Sequence, residues 1–158
     1  MNDILNTILK DTYTLTQLKH RLNILKSHLL NSFFGNQIEE NLPPPDLNWL
    51  KSLPTPIYQQ FNKDNVYQIF TDLENKINQF QPLIIYLTFE PDDSVLSQIG
   101  TFARKTFKGL LLLDTKFDPN LIAGAALVWK GVYKDYSLRA KIEERKAEML
   151  DSFKKFLL

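Results

Sequence analysis

The chain reads as an α+β protein, with a helical bundle-like N-terminal half followed by a small β-α-β-β-β-α domain. Three observations predict this. Apolar residues recur at steps of three and four through residues 2–34 and again through 58–81, the mark of helices buried along one face. The character changes at Leu83, where Leu-Ile-Ile-Tyr-Leu-Thr-Phe is β-branched and aromatic and too short for a buried helix. Finally, the stretch Lys116–Arg139, KFDPNLIAGAALVWKGVYKDYSLR, is dense in turn residues: Asp118-Pro119-Asn120, Gly124, Lys130-Gly131, then Asp135 and Ser137.

Length and composition bound the rest. A chain of 158 residues makes one ordinary domain or two small ones. At this size it buries roughly two-thirds of its unfolded surface, so a core forms without staples. There is no cysteine, which excludes disulfides, thiolate metal sites and cysteine nucleophiles and suits a reducing cytosol. Nineteen Lys and Arg balance eighteen Asp and Glu, so no net charge draws nucleic acid or anionic lipid. The opening MNDILNTILK carries an acid where a signal peptide carries bases. The apolar runs at Leu83–Leu87 and Leu110–Leu113 fall far short of the ~20 residues that span a bilayer. A soluble protein without direct membrane insertion is expected.

Each element follows from local signals. Leu15, Leu18, Leu22, Leu25 and Leu29 form the seam of a long first helix, and Thr14 with Gln17 makes a capping box. The run Asp11-Thr-Tyr-Thr-Leu-Thr is poor in helix formers, which allows a break near Thr12–Thr14. Gly35 is placed as the C-terminal stop. Residues 36–57 read as a proline-rich linker, through Pro43, Pro44, Pro45, Pro54 and Pro56. Within it, Asp46–Ser52 has room for one or two helical turns, pinned by Trp49, Leu50 and Leu53. Val66, Phe70, Leu73, Ile77 and Phe80 define a second helix over 58–81, closed by Pro82. The domain boundary is expected there, giving a helical region at 1–81 and an α+β domain at 82–158.

The second half begins with a strand from Leu83. Glu90-Pro-Asp-Asp-Ser caps a helix from about Asp92 to Phe107, with Val95, Ile99 and Phe102 facing inward and Gly109 stopping it. Leu110–Phe117 is the second strand. Ala125–Val132 is the third, reversing at Lys130-Gly131 into a short fourth. Ser137 caps one long final helix from Leu138 to about Phe156. Leu138, Ile142, Met149, Phe153 and Phe156 lie on one side of it, and an Arg139–Glu143 pair lies on the other.

Reactive chemistry is sparse. No Gly-rich phosphate loop or GxSxG turn occurs. His20 and His28 stand eight apart on one helix, too far for a metal pair, and are read as surface or packing residues. Glu39-Glu40 falls in a loop and Asp92-Asp93 caps a helix. Lys154-Lys155 sits among acids as a solvated face. No catalytic, cofactor or metal residue is therefore assigned. What remains is the apolar end of the last helix, where Met149, Phe153, Phe156 and Leu157 are candidates to dock a partner helix.

Asp118-Pro119-Asn120-Leu121-Ile122-Ala123-Gly124, a hydrophobic strand, the Lys130-Gly131 turn, and Asp135-Tyr136-Ser137-Leu138-Arg139 opening a helix resemble the C-terminal region of the delta subunit of F-type ATP synthases. In mitochondria that family is the oligomycin-sensitivity-conferring protein. Its pattern there is Asp-Pro-x-Leu-Ile-Gly-Gly, a strand, a Gly turn, a strand with Asp-x-Ser, and a closing helix. The likeness covers about residues 83–150. Asp118, Pro119, Leu121, Ile122, Gly124, Asp135, Ser137 and Arg139 carry the motif, and their local physics is that of a scaffold: a turn, core plugs at Leu121 and Ile122, a close strand entry and a helix cap. Two departures stand out. Ala123 replaces the first Gly of the pair and is expected at negative φ. The family's N-terminal six-helix bundle has only two or three substantial helices to correspond to it here.

The resemblance implies a non-catalytic peripheral-stalk (stator) subunit of a rotary ATP synthase, linking the stalk to the catalytic head. The implied partners are the stalk helices of the b-type subunit and the alpha subunits of the head, on the cytoplasmic face and peripheral to the membrane through the complex. It implies no cofactor and no nucleic acid. An adaptor of another complex built on the same fold, or an E-like stalk subunit of a V- or A-type ATPase, is the alternative.

Overall fold

The structure, a computed structural model, describes residues 2–35 and 42–157; Glu39-Glu40 and the first part of the expected linker lie outside them. The chain is α+β, as its patterning predicts. It divides into two compact units, Met1–Phe80 and Gln81–Leu158.

The first unit is helical. α1 (Asn2–Lys10) buries Ile4, Leu5, Ile8 and Leu9, and α2 (Leu15–Phe34) buries Leu18, Leu22, Leu25 and Leu29 of its seam. The break between them is real and well bonded. Thr12 is fully buried and its hydroxyl donates to the Ile8 carbonyl. Thr14 Oγ1 accepts from the Gln17 amide at 3.0 Å, while Gln17 Oε1 accepts from the Tyr13 amide at 3.0 Å. Arg21 reaches back to the Asp11 carbonyl and the Thr12 hydroxyl, both at 2.8 Å. Gly35 closes α2 at φ 70° with its amide on the Asn31 carbonyl.

The described part of the expected linker is mostly helical. Pro44–Ser52 forms α3 and Thr55–Tyr58 a single turn, α4. α3 starts on Pro44 and α4 carries Pro56 as its second residue; the missing amide costs nothing in a first turn and the fixed φ suits one. Trp49, Leu50 and Leu53 are buried, and the Arg21 guanidinium lies 5.1 Å from the Trp49 ring. The next helix, α5 (Val66–Asn78), begins at the first residue of its apolar period, eight residues later than the expected start at 58. Asn62 and Asn65 explain the delay. Asn62 Oδ1 accepts from the amides of Asp64 and Asn65, and Asn65 Oδ1 accepts from the Asn62 amide, so side chains take the bonds a helix would make. α5 then packs Phe70 on Phe61, ring centres 5.4 Å apart.

The second unit is a four-stranded sheet with one covering helix. β1 (Leu83–Leu87) is parallel to β2 (Leu113–Phe117) and antiparallel to β3 (Ala125–Trp129), which pairs with β4 (Val132–Asp135) in the order β2-β1-β3-β4. Between β1 and β2 runs α6 (Asp93–Phe107), capped by Asp92 Oδ1 on the Val95 amide at 2.8 Å. Leu83, Ile85, Leu87 and Leu113 of the sheet form a core with Leu111 and with Ala103 of α6. β3 and β4 turn at Lys130 and Gly131, φ 50° and 78°, the two left-handed residues of a type I′ hairpin.

Several local expectations change here. Phe102 does not face inward: it is 71% exposed, and Gly100 and Ala103 are the residues α6 buries. Small residues let the helix approach the sheet closely, and a phenylalanine there would hold it off. α6 stops at Lys108, itself left-handed at φ 52°, and not at Gly109. β2 starts at Leu113 instead of Leu110, which is exposed. The final helix is two: α7 (Leu138–Glu144) and α8 (Lys146–Leu157), separated at Arg145 with φ −100° and ψ 7°. No proline or glycine marks that junction.

Candidate functional site

The motif residues, separated by ten positions and a hairpin, meet in one place. β1 hands over to the first half of the motif through its last carbonyl, as the Asp118 amide donates to Leu87 at 2.8 Å. Asp118 Oδ1 then accepts from the Asn120 amide at 3.0 Å and caps a 3-10 turn at Pro119–Leu121, whose φ the proline presets. Leu121 is 1% exposed and belongs to the core.

Ile122 is not a core plug. It is 59% exposed and sits at φ 67°, ψ −54°, a conformation that crowds a β-branched side chain. Ala123 is absent from the positive-φ residues, so the left-handed backbone of this turn falls on Ile122 and Gly124 instead.

The second half of the motif closes onto the first. The Tyr136 amide donates to the Ala125 carbonyl at 2.9 Å and the Leu138 amide to the Ala123 carbonyl at 2.8 Å. Gly124 (φ 85°) passes directly beneath the Tyr136 carbonyl. Ser137 is fully buried, with its hydroxyl accepting from the Ala140 amide at 3.2 Å to cap α7. Asp135 organises the surface of this node. Its Oδ1 accepts from the Ser137 amide at 2.8 Å, its Oδ2 from the Tyr133 hydroxyl at 3.1 Å, and Arg139 Nη2 stands 3.6 Å away. The ion pair of Arg139 thus runs back to Asp135, and not forward to Glu143.

Hydrogen bonds from Ser137, hydroxyl first and amide second, hold the Asp135 carboxyl below its usual range, with Tyr133 and Arg139 adding to the effect. Partial desolvation and then the bond to Asp135 push the Tyr133 phenol above its ordinary value. The polar groups named here meet neighbours within the turn or cap, and together they fix where α7 starts.

What the node presents is the α7–α8 surface. Every described side chain from Lys141 to Phe156 is exposed. Met149 and Phe153 are both largely open, Phe156 is 89% exposed, and Leu150 extends the same stripe. A shallow groove on α8 is lined by Arg145, Glu148, Met149, Ser152, Phe153 and Phe156. Leu157, the fourth docking candidate, lies outside the described side chains. The sequence signal that located this surface was an amphipathic period in a helix with too little of its own unit left to cover it.

The remaining candidates are structural. His20 Nε2 lies 3.1 Å from Asp46 Oδ2, tying α2 to α3, and His28 meets Tyr58 edge-on at 6.1 Å. Among the described residues, no group of three or more His, Cys, Asp or Glu is arranged to hold a metal ion, and no helix is long and apolar enough to cross a membrane.

Comparison with known proteins finds a relative in the same family. Over 84 residues, 53% of this chain, the sequence is 34% identical to ATP synthase subunit delta of Verminephrobacter eiseniae. The match takes in 46% of that protein, so the chain spans about half the length of the curated relative it matches. No protein-family model matches. The resemblance to the delta-subunit family stands, over part of the chain.

Proposed function

We propose that this chain, similar over half its length to ATP synthase subunit delta, is a non-catalytic peripheral-stalk subunit of a rotary ATP synthase. It would join the stalk to the catalytic head on the cytoplasmic face, peripheral to the membrane through the complex. The match to subunit delta carries the reading. The exposed apolar stripe of α8 supports it, since a stator subunit transmits torque through a partner interface and needs no reactive group. In this reading α8 takes a helix of the b-type stalk subunit. The helical unit, with α1, α2, α3 and α5 where the family has six helices, faces the alpha subunits of the head.

Affinity capture of the tagged chain from its native membranes tests this. Stalk and head subunits should be recovered together. Recovery of neither sinks the proposal, and recovery of the stalk alone removes the head-binding role of the helical unit.

A further inference from the structure

The charges on α8 are ordered around its apolar stripe. Met149, Phe153 and Phe156, spaced four and three, lie on one side of the helix with Leu150 beside them. Arg145 and Lys146 stand one turn before Met149 and Leu150 and continue the stripe at its N-terminal end. Lys154 follows Leu150 by one turn and borders the other margin. Glu148 shares a margin with Arg145 and Ser152 along the groove. Asp151 lies on the back, and Lys155, seven residues after Glu148, falls between it and the Glu148 margin. The border of the stripe therefore holds three cations and one carboxylate. Among the described residues, the ion pairs of the structure involve none of those three cations.

We propose that the occupant of this surface is a helix whose own apolar stripe is bordered by carboxylates. The proposal rests on the docking reading above and adds the partner's chemistry to it. An acidic border pairs with Arg145, Lys146 and Lys154 as the stripes close and water leaves. A second copy of this chain presents the same cations and brings like charges together. An anionic lipid surface is a poor match, because α8 opposes three lysines with two carboxylates and each net basic residue adds only about 1 kcal/mol at such a surface.

The test titrates the full chain into fluorescent helical peptides that share one leucine stripe and differ only in its border: all Glu, all Gln or all Lys. The expected result is Glu-bordered binding at least about tenfold tighter than Gln-bordered at low salt, with the preference fading at high salt. The combined R145Q, K146Q and K154Q variant should lose that preference and keep its affinity for the Gln peptide. Equal binding of the Glu and Gln peptides, or preference for Lys, overturns the border chemistry while leaving helix docking in place. Failure of every peptide, or binding indifferent to Phe153→Ser, overturns the docking reading and this inference with it. So does a dimer in sedimentation velocity, or binding to phosphatidylglycerol vesicles, that Phe153→Ser abolishes.

Discussion

A methyl group added at Gly124 would stand 2.7 Å from the Tyr136 carbonyl oxygen and 3.2 Å from the Ser137 α-carbon. Both are backbone atoms, held by the Tyr136–Ala125 and Leu138–Ala123 hydrogen bonds on either side. Neither can rotate away. The glycine is therefore where the two halves of the motif touch.

Gly124→Ala should cost about 3 kcal/mol or more, from the backbone overlap together with the left-handed φ. Gly131→Ala is the control. Gly131 has a similar φ of 78° but nothing within 4 Å of the added carbon, so only the conformational cost of about 1–2 kcal/mol applies. Urea unfolding of both variants checks this; equal losses would mean that the close approach contributes nothing.

Asp135 sets an acid-side dependence. Its folded carboxyl ionises below the ordinary 3.8 because Ser137, Tyr133 and Arg139 favour the charged form. A depressed folded value contributes stability above the unfolded value and loses it as pH falls through the folded one. Asp135→Asn should thus lower the melting temperature near pH 7, and the gap to the parent should narrow steadily below about pH 4. A gap independent of pH would assign the cost to shape instead of charge.

Phenylalanines of similar sequence standing separate sharply in three dimensions. Phe70 is 1% exposed and stacked on Phe61, so Phe70→Ala should cost about 3–5 kcal/mol. Phe102 is open to solvent, and Phe102→Ala should stay within about 0.5 kcal/mol. Thermal unfolding distinguishes them.

That contrast shows what was legible in the residues alone. In α2 and α5 the period of three and four worked, since Leu18, Leu22, Leu25, Phe70, Leu73 and Ile77 are all buried. In α6 it held for Ile99, which packs against the core, and failed at Phe102, because a period ranks residues by size whereas the helix sits close to the sheet on Gly100 and Ala103. The span expected for α5, 58–81, started too early because Asn62 and Asn65 delay the helix by side-chain hydrogen bonds that no apolar pattern registers. Turn chemistry was the more reliable guide: Thr14, Asp92 and Ser137 each cap the helix that follows. The strained φ of Ile122 and the break at Arg145 carry no local mark, since neither residue type announces the conformation it holds. The apolar stripe of α8 was visible as an amphipathic pattern, but its exposure depends on what the rest of the unit covers, which only the fold shows.

The same exposure makes α8 separable from stability. Phe153 and Phe156 are 61% and 89% exposed, so truncating them removes little buried contact from the chain itself. The F153S and F156S double variant should unfold within about 1 kcal/mol of the parent. Its affinity for stalk helices should nonetheless fall by about tenfold or more, because aromatic anchors of an interface each carry upwards of 1 kcal/mol. Unfolding midpoints and pull-down of stalk subunits, measured on the same preparation, separate the two effects. If stability falls as far as binding, the stripe is core to the chain's own fold. If binding is unchanged, the partner sits elsewhere, and the exposed Ile122 beside α7 becomes the next surface to mutate.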